Sequence, residues 1–567
     1  MKYAYAAFSR IVLTVTFVAI QSCTPTHDCA YRRDCPSDFD SGAGSANGGA
    51  TAGEAGATGA AGEPATGGTT AGSTSPGGDA GSAGAADTEP CDQNADPATT
   101  TCVIADDYGL FVAPDGDDTT GNGSRATPFA SVGKALAVSA AGKRRRLYVC
   151  AAEYLESDTL NPPDGSAVFG GFTCNDGVWA YNAPLGAVLT VHNPVAAIID
   201  SVKRGVLLED LRLDADDAPQ NNTGASSFGL LVNASKGVVL RRVEIHAGKG
   251  GIGRPGVTLD VQAPPTSTSE QDGRDGECAA GLVAPTAALG GTPAASKCGT
   301  GGRGGIGYGA FDHSGGAGLP TTNLVSVPQP NGGPGAGPAA GAVGSPGSDG
   351  LNGADGQPGL SAGAVGSFGP WGYVGAAGAD GANGAPGEGG GGGGASHEFS
   401  GGGLVCAGAG GGAGGAGGCG RTGGTGGGGG GASVGLLSWN SQVSFDAGVL
   451  VAKAGGAGGR GGAGLVGSPG SEGGKAGSGP GGLPPGAAGG RGGSGGAGGP
   501  GAGGTGGPSL GLVYSGTEPT GVSGPALTPG LGGAPGLGGA GAMSGTSAPS
   551  GQPGLVRPEY PVQQSAP

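Results

Sequence analysis

Basic residues are scarce in this chain: 27 Lys and Arg stand against 43 Asp and Glu, a formal net charge of −16 over 567 residues. The cations are scattered, and without a clustered positive surface there is no counterion release to gain, which excludes nucleic acid as a partner. Long apolar runs are missing as well. Ile11 to Ile20 is the apolar stretch at the start, and a bilayer span needs about 20 such residues. Prolines number only 42, below the roughly 15–20% that a collagen carries. The histidines (His27, His192, His246, His313 and His397) lie in separate segments, and no cysteine pair has zinc-finger spacing, so neither a metal centre nor a cofactor is expected. Gly-x-Gly-x-x-Gly matches abound, but none follows a strand and opens a helix, which leaves them as composition.

What is present is glycine, 141 residues of it. A sizeable core is therefore available only between about Leu110 and Ile252, where aliphatic residues concentrate. The first 22 residues read as an export signal, with Lys2 and Arg10 before the apolar run. Ile20-Gln21-Ser22-Cys23 resembles a bacterial lipobox, departing from it at Gln21. That resemblance implies acylation at Cys23 and an exported protein held at the outer membrane or cell surface by its lipid. There are 11 cysteines; setting Cys23 aside leaves ten that fall into sequential pairs. The expected disulfides are Cys29 with Cys35, Cys91 with Cys102, Cys150 with Cys174, Cys278 with Cys298, and Cys406 with Cys419. They imply an oxidising compartment.

After the lipidated start, residues 23–90 form a Gly/Ala/Ser/Thr linker too poor in large apolar side chains to offset its ordering entropy. Order begins near Cys91. Leu110-Phe111-Val112 reads as a strand, Pro114 to Asp118 as a turn, Val132 to Ala141 as a helix stopped by Gly142, and Arg146 to Cys150 as a strand. The run from Leu110 through Tyr154 (LFVAPDGDD, GSRATPFASVGKAL, RLYVCAAEY) resembles the opening module of bacterial right-handed parallel β-helix proteins of the pectin-lyase-like kind. The glycine tracts downstream resemble surface lipoproteins of PGRS-like composition. The resemblance implies an all-β fold: a short right-handed parallel β-helix with one capping helix, interrupted by long glycine-rich excursions.

The residues support that reading independently. Gly205 to Leu213 and Gly237 to Ile245 share one alternating apolar pattern, that of half-buried strands. SFGLL at Ser227, SVGLL at Ser433 and SLGLV at Ser509 repeat a design. Isolated copies would expose a face and both edges, so the second is expected to stack on the first and the third on the second. Leu436, Leu437, Phe445, Val449 and Val451 are expected to sit over Leu230, Leu231, Leu240, Val243 and Ile245. The chain then divides into a β-core (91–251), a glycine-rich insertion (252–432), a rung (433–456), a second insertion (457–508), a third rung (509–533) and a Gly/Pro tail (534–567). Within the insertions glycine often recurs every third position, the period of a polyproline II-type helix. Ordering a triplet costs roughly 3–6 kcal/mol, and lateral hydrogen bonds contribute about 0.5–1.5 kcal/mol each. That balance lies near or below zero and favours mobile arms over a packed bundle.

Candidate chemistry is thin. Asp115, Asp117 and Asp118, like Asp214, Asp216 and Asp217, have turn spacing and lack the calcium-loop pattern. Arg212, Arg241 and Arg242 lie on strands where a polysaccharide lyase of the resembled family would place a general base. Trp179, Tyr181 and Trp439 are the candidate glycan contacts. The reading is a non-enzymatic envelope, matrix or adhesive protein whose partners are a membrane, a surface polysaccharide or another surface protein. The rival is a carbohydrate-binding or lyase-like β-helix enzyme.

Overall fold

The computed structural model describes residues 91–563, apart from 176, 183–185, 222, 260–262, 281–284, 294–295, 308–312, 315–318, 321–330, 338–341, 364, 522–525 and 544. The signal at 1–22, Cys23 and the 23–90 linker lie outside the described residues. The opening elements are β1 (Gly109–Val112), the only α-helix among the described residues, α1 (Val132–Ala141), and β2 (Arg146–Cys150), which runs parallel to β1. Ser131 caps the helix by accepting from Lys134 N–H at 3.2 Å, and Glu156 accepts from Val132 and Gly133 N–H at 2.7 and 3.0 Å. A carboxylate at the positive end of the helix satisfies donors that have no partner within it.

The main strands that follow are β3 (Glu153–Glu156), β4 (Ala167–Asn175), β5 (Val178–Tyr181), β6 (Ala187–Val191), β7 (Val195–Asp200), β8 (Val206–Ala215), β9 (Ser227–Asn233), β10 (Val238–His246), β11 (Ser367–Gly369), β12 (Gly372–Val374), β13 (Ser433–Trp439), β14 (Val443–Val451), β15 (Ser509–Ser515), β16 (Leu527–Thr528) and β17 (Val556–Pro561). They stack into two largely parallel sheets. One runs β1-β2-β4-β8-β10-β14-β16, and the other β7-β9-β13-β15-β17. Leu230, Leu436 and Leu512 share a ladder position, as do Leu208, Leu240 and Phe445, and as do Ile245, Leu450 and Leu527. All nine are buried in one apolar core between the sheets.

Two expected partners shift by one. Gly448, not Val449, lies opposite Val243, and Leu450, not Val451, lies opposite Ile245. The corner after β13 is one residue shorter than the corner after β9, and the shortening carries through every later position. The tail also departs from expectation, because β17 adds a further strand beside β15. Its Pro558 and Pro561 withhold ladder donors at the sheet's end, which discourages further pairing.

Corners recur at fixed places. Ser201, Ala234 and Asn440 take φ values of 56°, 47° and 47°, and Asp210, Arg242 and Ala447 take 54°, 51° and 57°. A left-handed residue turns the chain without breaking the ladder on either side. Inside each S-x-G-L repeat the glycine answers to the opposite wall. A Cβ at Gly229 would meet Ile245 Cγ2 at 2.4 Å, and one at Gly435 would meet Leu450 Cβ at 3.1 Å. The serine closes the neck of an excursion: Ser433 Oγ–H donates to Gly248 O at 2.6 Å and Ser509 Oγ–H to Lys453 O at 2.7 Å.

The excursions all depart after the same strand position and return at the same one. Their backbone continues the ladders they leave. Ala247, Gly250, Gly253 and Gly256 donate to Val451, Ala454, Ala457 and Arg460, and Gly412 to Ser433 donate at three-residue steps to Ala487 through Pro508. In place of mobile arms, the tracts at 344–359, 376–396, 408–432, 455–477 and 486–508 are lanes hydrogen-bonded side by side. The 408–432 lane is interior: Gly412, Ala413 and Gly414 donate to Ala487, Gln271 and Gly302, three different neighbours. Its GGX triplets follow from that position, because two of the three edges have no room for a side chain. A Cβ at Gly411 would lie 2.0 Å from Gly393 O, and one at Gly412 would lie 2.1 Å from Gly474 O. An outer lane such as 344–359 keeps one glycine in three. Its Asp349, Asn352 and Asp355 accept from Arg491, Ser494 and Ala497 N–H at 2.7, 2.8 and 2.7 Å, where parallel phasing leaves a donor without a carbonyl.

Four disulfides are present among the described residues. Cys91–Cys102 and Cys150–Cys174 join as expected. Two expected pairs are corrected: Cys278 bonds Cys406 rather than Cys298, and Cys298 bonds Cys419, across 128 and 121 residues. Neighbours across the fold decide this: Cys278 lies opposite Cys406 in an antiparallel pair of short strands, and Gly417, two residues before Cys419, donates to Gly299, next to Cys298. The expected bond between Cys29 and Cys35 is not among the four, because Cys29 and Cys35 both lie outside the described residues.

Candidate functional site

The densest ionisable cluster lies on the outer face of the first sheet, at the corner of β8, β10 and β14. Leu208, Leu240 and Phe445 point inward, so Glu209, Arg241 and Asp446 on the next position point out and stack in register. Opposite charges in adjacent strands pair directly. Arg241 Nη1 donates to Glu209 Oε2 at 2.9 Å and to Asp96 Oδ2 at 3.1 Å, and its Nε stands 3.3 Å from Asp446 Oδ2. One residue on, Arg242 Nε donates to Asp210 Oδ1 at 2.7 Å, and Nη2 bonds Glu209 and the Tyr181 hydroxyl. Tyr181 O–H donates to Asp210 Oδ2.

Glu209 is fully buried beneath this layer and Asp210 nearly so. Burial, then the hydrogen bond and charge of Asp210, raise the Tyr181 phenol well above its ordinary value, and the bond to Asp210 raises the Arg242 guanidinium likewise. Every carboxylate in the cluster is held by an arginine, and every arginine by carboxylates. A general base needs a lone pair aimed at substrate, and the buried Glu209 and Asp210 both commit theirs to arginine. The cluster is a cross-strand ion ladder that binds three rungs together.

Beside it opens a groove of about 630 Å³ lined by Lys143, Arg144, Arg145, Arg146 and Arg241, with Asp96 and Asp107 at its rim. Lys143 to Arg146 are four consecutive cations, the longest basic run in the sequence. Two of the arginines are committed. Arg146 donates to Gln93 O and Ala95 O at 2.6 and 2.7 Å and stacks 4.9 Å over Phe169, while Arg144 donates to Asp106 O at 3.2 Å. Lys143 and Arg145 pair with no carboxylate among the described residues. The groove can accept an anion.

The three candidate glycan contacts do not converge. Trp179 packs edge-on against Phe111 at 4.8 Å, and Tyr181 packs against Phe172 at 5.5 Å with its hydroxyl consumed by the ion ladder. Trp439 sits on the other sheet, half-buried against a second apolar cluster around Phe228 and Leu437. Exposed aromatic surface lies elsewhere, at Trp371, with Phe368 and Tyr560 half-buried nearby. The signal available for it was SFGPWGYV, three rings within eight residues of a glycine tract.

The aspartate runs serve turns and pairs. Asp117 accepts from Thr119 and Thr120 N–H at 2.6 and 3.1 Å, and Asp118 accepts from Ala130 and Ser131 N–H at 2.8 and 3.1 Å, pinning the Thr-Pro-Phe segment to the helix start. Asp214 takes Arg212 at 2.9 Å and His246 at 3.0 Å; Asp216 takes His192 at 3.2 Å. Among the described residues no helix is long and apolar enough to cross a membrane. Compared with known proteins, the chain matches no family model, no curated protein and no solved structure.

Proposed function

We propose that this chain is an exported, non-enzymatic surface protein, lipidated at Cys23, whose stacked parallel strands are coils of a right-handed β-helix displaying a glycine slab. The observation that carries it is the shared register of strand ladders and glycine lanes, from Ala247 through Gly256 and from Gly412 through Ser433. Lanes that extend a ladder inherit its rigidity, and the result is a broad, weakly charged surface held by backbone bonds. Such a body suits an envelope, matrix or adhesive layer. The disulfides accord with export, since thiols stay reduced in the cytosol.

A second reading adds a ligand. The Lys143–Arg146 groove favours an anionic surface polysaccharide over a neutral one. Lys143, Arg144, Arg145, Arg146 and Arg241 all line it, and charge-assisted bonds to carboxylates are the strong ones.

The deciding experiment follows the protein in cells. Mass spectrometry of the mature N-terminal peptide is expected to show an acylated Cys23, and Cys23→Ser is expected to release the protein from the envelope fraction. A bare or absent Cys23 in the mature protein, or unchanged fractionation of the variant, overturns the lipid-anchored reading.

A further inference from the structure

Lanes 344–359 and 376–396 run antiparallel, with Ala379, Ala382, Ala385 and Glu388 donating to Leu360, Gln357, Ala354 and Leu351. Joining such lanes needs only a tight turn, as 478–485 provides between two others. Here the chain instead extends into the β11–β12 hairpin, paired Phe368 to Tyr373 and Gly369 to Gly372, with Pro370 and Trp371 at its tip. The hairpin lies over the outer face of the second sheet. Tyr373 is buried there with Phe228, Leu437 and Val513, and a Cβ on Gly372 (φ 144°) would come within 3.5 Å of the Phe228 ring.

Trp371 at the hairpin tip is left 59% exposed. Large exposed rings cost free energy in water and mark binding surfaces. Phe368, half-buried beside it, stands 4.8 Å from Tyr373 and 5.8 Å from Tyr560 on β17. Two clefts meet at Phe368: one of about 350 Å³ within the hairpin around Trp371, and one of about 510 Å³ between the hairpin and β17, reaching Arg557, Tyr560 and Gln563.

Arg557 holds the chemical clue. Phe228, Val434 and Leu510 form one apolar ladder on this face, and the next position on β17 is Arg557. Its guanidinium pairs with no carboxylate among the described residues. A planar, bidentate cation beside apolar ring faces fits a ligand that carries a carboxylate on a flat, C–H-lined body.

We infer that the two clefts meeting at Phe368 together bind an acidic pyranose chain, with sugar faces on Trp371 in the one and on Phe368 and Tyr560 in the other, and a uronate carboxylate on Arg557. Gln563 and the Tyr560 hydroxyl supply hydrogen bonds for ring hydroxyls. This site is separate from the Lys143–Arg146 groove and does not depend on lipidation, so its failure leaves the anchor experiment unaffected.

The test is a tryptophan-fluorescence titration of the full-length protein with an oligogalacturonate. A neutral oligosaccharide of equal length and a proline-rich peptide serve as parallel probes. The expected result is a saturable emission change with the uronate that disappears in Trp371→Ala, where Trp179 and Trp439 remain as silent reporters. Arg557→Gln is expected to weaken binding roughly tenfold or more, the loss of a charge-assisted pair, and to flatten its salt dependence. Both side chains are exposed, so both variants should keep the parent's circular dichroism and melting point. A Trp371→Ala protein that binds as the parent does, measured by calorimetry, overturns the site. Equal affinity for the neutral sugar, response to the peptide alone, or no saturable change with the uronate overturns the ligand class.

Discussion

A methyl group at Gly414 would sit 1.8 Å from the carbonyl oxygen of Gly390, whereas one at Gly363 would meet nothing within 4 Å. The same residue type therefore serves close approach in one place and nothing in the other. Gly414→Ala should lower stability by about 1–3 kcal/mol, the usual cost of overpacking, while Gly363→Ala should leave it unchanged; urea denaturation of both variants checks the contrast. Charge is as positional as volume. Burial tends to raise the Asp214 carboxyl, but hydrogen bonds from His246 and Arg212 outweigh it and hold the group below its ordinary value. A depressed folded-state pKa contributes stability that is complete above the unfolded value of 3.8 and is lost as pH falls through the folded one. Asp164 and Asp217 act in the same direction. Glu156 opposes them: burial raises its pKa, so its contribution worsens as pH rises through the folded value. With more depressed groups than raised ones in this set, the melting temperature is expected to fall below about pH 4. Asp214→Asn should shallow that fall in a pH series followed by circular dichroism.

At the level of elements, each rung is a strand whose one edge is claimed by the rung before it, and serines tie the necks at Ser433 and Ser509. Leu436 is fully buried between Leu230 and Leu512. Leu436→Asp would place an unpaired charge in that core, a loss of about 3–5 kcal/mol, and should lower the melting temperature of the whole stack in one transition rather than melting a separate tail. The lanes are tied differently. Cys278–Cys406 closes 128 residues, and the chain-entropy relation assigns such a loop about 5 kcal/mol, against about 3 kcal/mol for a short local one. Cys278→Ser with Cys406→Ser should therefore destabilise the glycine region more than removal of Cys91–Cys102 destabilises the opening module. Local hydrogen exchange of the two variants separates the regions.

Seen as one body, residues 91–563 place a layered apolar core at one end of each ladder and a core built of backbone at the other. The interior lane has no side chain larger than Ala between Ala407 and Gly418, yet its residues are as buried as those of β13. Burial without hydrophobic side chains requires that every donor be satisfied, and Gly411 to Gly418 are bonded accordingly, Ala416 N–H to the Ser471 hydroxyl and the rest to backbone carbonyls. Amides of 411–418 are thus expected to exchange as slowly as those of Ser433–Trp439. Fast exchange there, with slow exchange in β13, would show that the lanes do not share the stability of the strands.

Local pattern was legible before any coordinates. The alternation in Gly237 to Ile245, the S-x-G-L repeats, the Val132–Ala141 helix between Ser131 and Gly142, and the two short-range disulfides each depend on residues near one another along the chain, where spacing and turn chemistry settle geometry. Phe445 was placed correctly over Leu240; Val449 was not, because corner lengths are set by which left-handed residue stacks on which. Partner choice at longer range was decided only in three dimensions. Cys278 and Cys298 lie close in sequence, but their lanes border the 408–432 lane rather than each other. GGX against GXX triplets did encode which lanes lie inside, and Asp-Gly and Asn-Gly steps such as Asp349-Gly350 and Asn352-Gly353 encoded which edges lie outside. Reading them required the neighbours, since a glycine's missing side chain acquires meaning only from the atom that occupies its place. The sequence by itself determined the strands, the turns and the three-residue period, because those follow from backbone sterics and side-chain alternation. The tertiary structure alone decided that the glycine tracts pack, that Glu209, Arg241 and Asp446 meet, and that Trp371 rather than Trp179 or Trp439 is left facing water, because each of these depends on contacts between residues far apart along the chain.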